Sequence, residues 1–429
     1  MENKKTVGFW SAVSIGIGGM VGGGIFAVLG LAVNLSHGGA PLAFFIAGLV
    51  ALITAYSYSK LSVTFPSSGG TVEFLNQGLG TGTLTGGLNI LLWISYVVML
   101  SLYSYAFGSY GATFFPEQDQ TFWRHTLTSA IIISFTLLNF LSAKVVGKSE
   151  EIIVFIKIAI LVVFVVIGFW SVQFEKLEPS TWSAPITLMA GGMIIFLAYE
   201  GFELIANTAG DVKNPKKTLP RAFYTAVLFV VGLYVMVSIV TVGNLSLDKI
   251  VESQDYALAE SAKPFLGHIG FVIIAIAALF STGSAINATL YGASRISYII
   301  AKTGELPKHL ERKIWNRPIE GLIITSVLTL IIANLFDLSS IAVMGSAGFL
   351  LIFAAVNFSN FRLHKKTRSR KWISMIGGIG CLAALSVLIF ESKITSIENI
   401  MIFVIMVGSS FVIEIIYKKI TNRCHKCYF

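Results

Sequence analysis

Twelve stretches of this chain approach or exceed the roughly 20 apolar residues that a helix needs to cross a lipid bilayer, and no other feature limits the fold so strongly. They lie at residues 9–34, 41–63, 83–114, 122–141, 151–171, 185–210, 222–243, 269–300, 319–336, 339–361, 372–390 and 397–417. Backbone polar groups in hydrocarbon must be paired within their own segment, so the expectation is an all-α membrane protein with twelve transmembrane helices. A mean hydropathy of +0.78, with only 12% charged residues, excludes the ordinary soluble classes. The first run follows Lys4 and Lys5 and is too long for a signal peptide, with no small-residue cleavage site, so it is expected to be retained.

The net charge of +9 does not call for nucleic acid, because the basic residues lie in short loops between apolar runs. With the N-terminus in the cytoplasm, 25 of the 31 Lys and Arg fall on the cytoplasmic side. Five fall outside (Arg124, Lys176, Lys249, Lys263, Lys393), and Lys157 alone lies deep within a span. This predicts a multi-pass cell-membrane protein with both termini cytoplasmic. Residues 244–267 are less apolar and carry Asp248, Glu252, Asp255 and Glu260, as an outer cap of short helices would. Cys381 sits in an apolar run, and Cys424 and Cys427 form a lone CxxC, so neither a disulfide framework nor a metal or other cofactor is expected.

Two spans are marked as interrupted. Gly18, Gly19, Gly22, Gly23 and Gly24 crowd the middle of the first, where a helix should break. Residues 196–203 put Glu200, Gly201 and Glu203 at membrane depth in the sixth, where a charge needs a partner or water. The two spans are five apart, and five is odd, so a repeat that starts inside the first time starts outside the second. Paired interruptions of this kind point to a transporter's central site, with spans one to five and six to ten as inverted halves.

Five motifs in order then resemble a known family: the glycine break of span one; Pro66, Ser67, Ser68, Gly69, Gly70; residues 196–203; residues 214–222, Asn-Pro-Lys-Lys-Thr-Leu-Pro-Arg-Ala; and Tyr291 to Arg295 with Gly304, Glu305, Leu306, Pro307. Across nearly its whole length the chain resembles the amino acid, polyamine and organocation superfamily, close to its proton-coupled prokaryotic amino acid permeases. The resemblance implies the leucine-transporter fold, a 5+5 inverted repeat with discontinuous helices 1 and 6 and two peripheral C-terminal helices. The corresponding units are residues 1–171, 185–361 and 372–417, followed by a cytoplasmic tail at 418–429. It also implies alternating access around a site near the bilayer midplane.

An amino acid substrate brings a carboxylate and an ammonium. N–H groups at the restarted helix, Gly22, Gly23, Gly24 and Ile25, suit the carboxylate, and carbonyls around Ile17, Gly18, Phe196 and Ala198 suit the ammonium. The small-xxx-small spacing of the same glycines offers a second reading, tight helix packing. Phe196 and Tyr199 wall the side-chain pocket, gate it, or simply pack; Gly201 is assigned to the substrate site, and weaker candidate walls are Trp93, Tyr96, Met99 and Tyr103 of span three. Phe202 is assigned to gating, and Glu203, which matches an acid common at that place in the family, to a gating or structural role. By the resemblance, Lys157 takes the place of a sodium ion and meets carbonyls near Gly18 and Gly19 and hydroxyls among Ser281, Thr282 and Ser284. Burial lowers a lysine pKa, which suits a group that cycles its proton, whereas the alternative is a fixed charge that ties spans together.

Glu200 departs from the family, which usually carries an apolar residue before this glycine; it either attracts a cationic side chain, takes a second proton, or pairs within the bundle. Lys213, Lys216, Lys217 and Arg221 either bind phosphate head groups or set topology.

The reading is a proton-coupled, sodium-independent symporter that imports small amino acids, its partners being substrate, protons and the lipid bilayer, with oligomeric state open. Its alternatives are an uncoupled amino acid or polyamine exchanger, in which Lys157 is a permanent cation, and a transport-dead amino acid sensor. An enzyme is not expected, because the histidines at 37, 125, 268, 309, 364 and 425 lack metal or catalytic spacing.

Overall fold

A computed structural model describes residues 5–141, 146–306, 319–395 and 397–421. Among them the chain is helical throughout, with no strand longer than an isolated bridge. In chain order the helices are α1 (Phe9–Met20), α2 (Gly24–Ser36), α3 (Ala40–Thr64), α4 (Thr71–Leu79), α5 (Thr83–Ala112), α6 (Gln120–Leu141), α7 (Val146–Gly168) and α8 (Pro185–Ile195). There follow α9 (Leu204–Asn207), α10 (Pro215–Asn244), α11 (Leu247–Glu252), α12 (Ala257–Glu260), α13 (Lys263–Lys302), α14 (Ile319–Leu335), α15 (Leu338–Arg362), α16 (His364–Thr367), α17 (Lys371–Thr395) and α18 (Ile397–Thr421).

Among the described residues, nine helical segments are long and apolar enough to cross a membrane singly, and α1 with α2 form a tenth crossing, bent by 46°. Of the other two apolar runs, α14 has 17 residues, and α6 is long enough but carries Arg124, His125 and several hydroxyl and amide side chains. Large apolar side chains face outward all round: Phe155 is 72% exposed and Ile405 67%. Water would penalise such a surface, whereas lipid solvates it. The interior is where the small and polar residues gather, as in other helix bundles packed in lipid.

The two interrupted spans differ in kind. In the first, α1 stops at Met20, Val21 turns back to donate from its N–H to Ile17 O (2.8 Å), and α2 restarts from Gly23 without a side-chain cap. In the sixth the chain never leaves helical geometry. From α8 it tightens into an eight-residue 3-10 stretch, Phe196–Glu203, before α9. Such runs seldom exceed three or four residues, and long ones mark strain or a hinge. Ser346 of α15 serves the junction, donating to Ile194 O (2.9 Å) and accepting from Leu197 N–H (3.2 Å).

Two of the sequence motifs are joints around this core. Gly70, with φ +45°, starts α4 where a side chain would collide with Asn207 Oδ1 at 2.0 Å, so only glycine fits. Asn214 takes the left-handed conformation that asparagine tolerates, and Pro215 opens α10 where its missing N–H has no cost. Residues 244–267 form the short helices α11 and α12, as the sequence indicated, with Gln254–Tyr256 seated on α2.

Candidate functional site

The break in span one and the 3-10 stretch of span six lie against each other. A Cβ on Gly24 would stand 2.7 Å from Ala198 Cα, and one on Gly201 would stand 2.2 Å from the carbonyl carbon of Gly19. Gly22 is equally filled by Ala285 of α13, and Gly23 by the ring of Tyr103 of α5, 2.3 Å away. In this closed arrangement the glycines serve close packing; removing their side chains is what brings the two backbones together. Phe196, Ala198, Tyr199, Glu200 and Gly201 are all buried.

The carbonyl end of α1 is capped from three directions. Lys157 Nζ donates to Gly18 O (3.0 Å), Tyr234 Oη to Met20 O (2.7 Å), and Ser281 Oγ to Val21 O (2.8 Å) while also lying against Gly22 O. Lys157 is only 2% exposed, so a stem from α7 reaches inward across the packing and delivers its charge to the break. Of the hydroxyls grouped with it, Ser281 caps α1, Thr282 donates to Ala278 O of its own helix (2.7 Å), and Ser284 is half-buried. On the other side of the break, α2 begins with N–H groups that no side chain at Gly23 covers, a partial positive charge directed into the site.

Phe196 and Tyr199 are turned into packing. Phe196 stands edge-on to Phe353, 5.8 Å between centroids, and Tyr199 donates to Phe44 O of α3 (3.0 Å) beside the ring of Tyr234. Phe202 belongs to an aromatic cluster with Tyr58, Phe223 and Phe353. Glu203, 1% exposed, accepts three hydroxyl donors: Tyr58 (3.1 Å) and Thr71 (3.0 Å) at Oε2, and Tyr96 at Oε1. Helices α3, α4, α5 and the 3-10 stretch are thereby tied at one carboxylate. Glu200 is 3% exposed and its Oε2 has no hydrogen-bond partner.

Among the weaker candidates, Trp93 turns away to Thr325 of α14 (3.1 Å), whereas Tyr96 and Tyr103 face the site. Lys213, Lys216, Lys217 and Arg221 are exposed. Pro307, Cys424 and Cys427 lie outside the described residues. Four residues that matter here were not singled out from the sequence: Tyr58, Thr71, Tyr234 and Ser346. Only Thr71 had a signal, its place directly after the Pro66–Gly70 motif. At the far end of α2 from the break, Gln254 accepts from Asn34 (3.2 Å), and Asp255 lies 3.9 Å from Arg124 of α6. Burial holds the Asp255 carboxyl above its usual range, against the pull of Arg124.

A polytopic helical bundle built around a broken span, with an ammonium at the break and an uncapped helix start facing it, is the class that membrane permeases define. The chain belongs to the amino acid permease family, whose model matches residues 7–411. It is 37% identical to the uncharacterized protein MJ0609 of Methanocaldococcus jannaschii, covering 99% of this chain and 97% of that one. It is 36% identical to the inner membrane transport protein YbaT of Escherichia coli, over 88% of each chain. The branched-chain amino acid permease BcaP of Lactococcus lactis is 24% identical over 82% of this chain and 81% of its own length. The protein is a multi-pass membrane transporter of this family, not an enzyme.

Proposed function

We propose that this chain imports small amino acids across the cell membrane by alternating access, coupled to protons and independent of sodium. Its architecture in this reading is twelve spans, with residues 1–171 and 185–361 as inverted five-helix halves, residues 372–417 peripheral and both termini cytoplasmic. The observation that carries the proposal is the Lys157 contact to Gly18 O at 3.0 Å in a nearly water-free position. An ammonium there supplies from the protein the positive charge that a bound metal cation would otherwise bring to the end of α1. Losing its proton would leave a neutral amine, a weaker donor to Gly18 O, and loosen the tie between α7 and the break. Proton occupancy and the packing of α1 are then two faces of one equilibrium.

The substrate carboxylate sits at the start of α2, on the N–H groups of Gly24 and Ile25 beside Gly22 and Gly23. Its ammonium meets carbonyls of the two interrupted spans: Ile17 and Gly18 when those are released, and Phe196 and Ala198. Gly19 and Gly201 let the backbones close, Ser281, Thr282 and Ser284 belong to the lysine's surroundings, and Phe202 and Glu203 form the gate at the end of span six.

The test is uptake of labelled amino acids into sodium-free proteoliposomes under an imposed inward proton gradient. Wild type accumulates substrate and Lys157→Ala does not. If Lys157→Ala still accumulates substrate in response to the gradient, the coupling role is wrong. An absolute requirement for internal substrate would instead make the protein an exchanger.

A further inference from the structure

We propose that Glu200 determines specificity, and that the substrate it selects carries a cationic side chain ending in an ammonium or a guanidinium. This rests on the reading of the chain as an amino acid importer and sets its substrate class by side-chain charge in place of small size.

A 3-10 helix repeats every three residues, so residues three apart share a face. Phe196, Tyr199 and Phe202 form an aromatic face, which packs on α3, α10 and α15. Ala198 and Gly201 form a small face, which receives Gly24 and Gly19. Leu197, Glu200 and Glu203 form the third. Its ends are fixed by Leu197, which fills the space beside Gly345 of α15, and by Glu203, bonded to Tyr96 of α5. The third face therefore meets α15 at its Leu197 end and α3, α4 and α5 at its Glu203 end, and Glu200 is in its middle.

The two acids on this face are treated differently by their surroundings. Glu203 takes three hydroxyl donors, whereas Glu200, equally buried, has none at Oε2. Such a group at membrane depth is unfavourable unless something completes it. A proton on Glu200 removes the charge but brings no donor to Oε2. An ammonium or guanidinium neutralises the carboxylate and donates to it in one contact, and with a guanidinium the contact is two-pronged.

The position suits a side chain that starts from an amino acid held at the break. Because Ala198 meets Gly24 and Gly201 meets Gly19, Glu200 lies at the level of residues 20–23. Tyr103 closes over Gly23, the residue before α2. The N–H groups offered to a carboxylate and the acid offered to a cation thus lie at one level of the bundle. The Tyr96 and Tyr103 rings add faces that attract cations.

The experiment uses pairs of amino acids matched in shape and differing in charge: ornithine against norleucine, and arginine against citrulline. In sodium-free proteoliposomes the wild type should favour the charged member at least tenfold in kcat/KM, and Glu200→Gln should lower that ratio at least tenfold. Glu200→Asp, which keeps the charge on a shorter stem, should retain part of the preference. A measurement without any variant runs beside it: ornithine should raise the melting temperature of the purified wild type more than norleucine does at equal concentration. A charged-to-neutral ratio that Glu200→Gln leaves unchanged overturns the proposal, as does a wild type that shows no preference. An unchanged ratio with a displaced pH profile of neutral uptake makes Glu200 a proton carrier and likewise overturns it. If the wild type takes up no amino acid of any class, the importer reading itself fails, and this inference with it.

Discussion

Gly201→Ala puts the closed packing of spans one and six to a direct test. The added methyl would stand 2.2 Å from the carbonyl carbon of Gly19 and 2.3 Å from Met20 N, where ordinary contact begins near 3.4 Å. These are backbone atoms at the end of α1, which cannot swing aside as a side chain can, so the spans must part by about 1 Å. Overpacking by one methylene costs about 1–3 kcal/mol in a close-packed interior, and backbone partners place this change near the upper end. At about 3 kcal/mol the closed state loses roughly two orders of magnitude of population relative to any state in which the contact is open.

The measurement is uptake per reconstituted molecule, with the melting temperature in detergent as a folding control. Gly232→Ala in α10 supplies the comparison, because its Cβ meets nothing within 4 Å. Gly201→Ala should lose at least nine-tenths of uptake while Gly232→Ala keeps it. Uptake within twofold of wild type in Gly201→Ala would mean that the transport cycle does not pass through this contact.

Two further outcomes follow from single side chains. Tyr96→Phe takes one hydroxyl donor from buried Glu203 and should lower stability by about 1–3 kcal/mol, read as a reduced melting temperature; no change would show that Oε1 is served in another way. Glu305, beyond the end of α13, accepts from Asn89 (2.8 Å) and is pushed by burial from 4.5 to about 7, with Glu414 adding repulsion. Its folded pKa is raised, so the fold holds a proton that the unfolded chain releases; this stability is complete below 4.5 and lost as the pH rises through about 7. The wild-type melting temperature should therefore fall between pH 5 and pH 8 relative to Glu305→Gln, and parallel curves would refute the assignment.

Much of the scaffold was legible because lipid allows so few solutions. The apolar runs, the first-span break and the short helices after residue 244 follow from hydropathy, glycine chemistry and a change in polarity. Gly201 and its neighbouring acids likewise marked span six as irregular, but not in what way: residue types that break an α-helix also fit a tighter winding, and the choice depends on Ser346, which is 149 residues from Leu197. The partners of Glu203 were hidden for the same reason. Tyr58 and Tyr96 are ordinary aromatics in apolar helices until the fold brings them across 145 and 107 residues to one carboxylate. Thr282 shows the reverse case, a polar residue in the expected region whose hydroxyl bonds its own helix.

The eight-residue winding of span six is also a screw. An α-helix rises about 1.5 Å and turns about 100° per residue, against about 2.0 Å and 120° for the 3-10 form. Rewinding Phe196–Glu203 as α would shorten the span by about 4 Å and rotate one end by nearly half a turn against the other. Glu200 and Glu203, and likewise Ala198 and Gly201, would pass from direct alignment to an offset of about 60° within each pair. Length, rotation and alignment are locked to a single variable, so any force that pulls on α9 is transmitted to the break as torque.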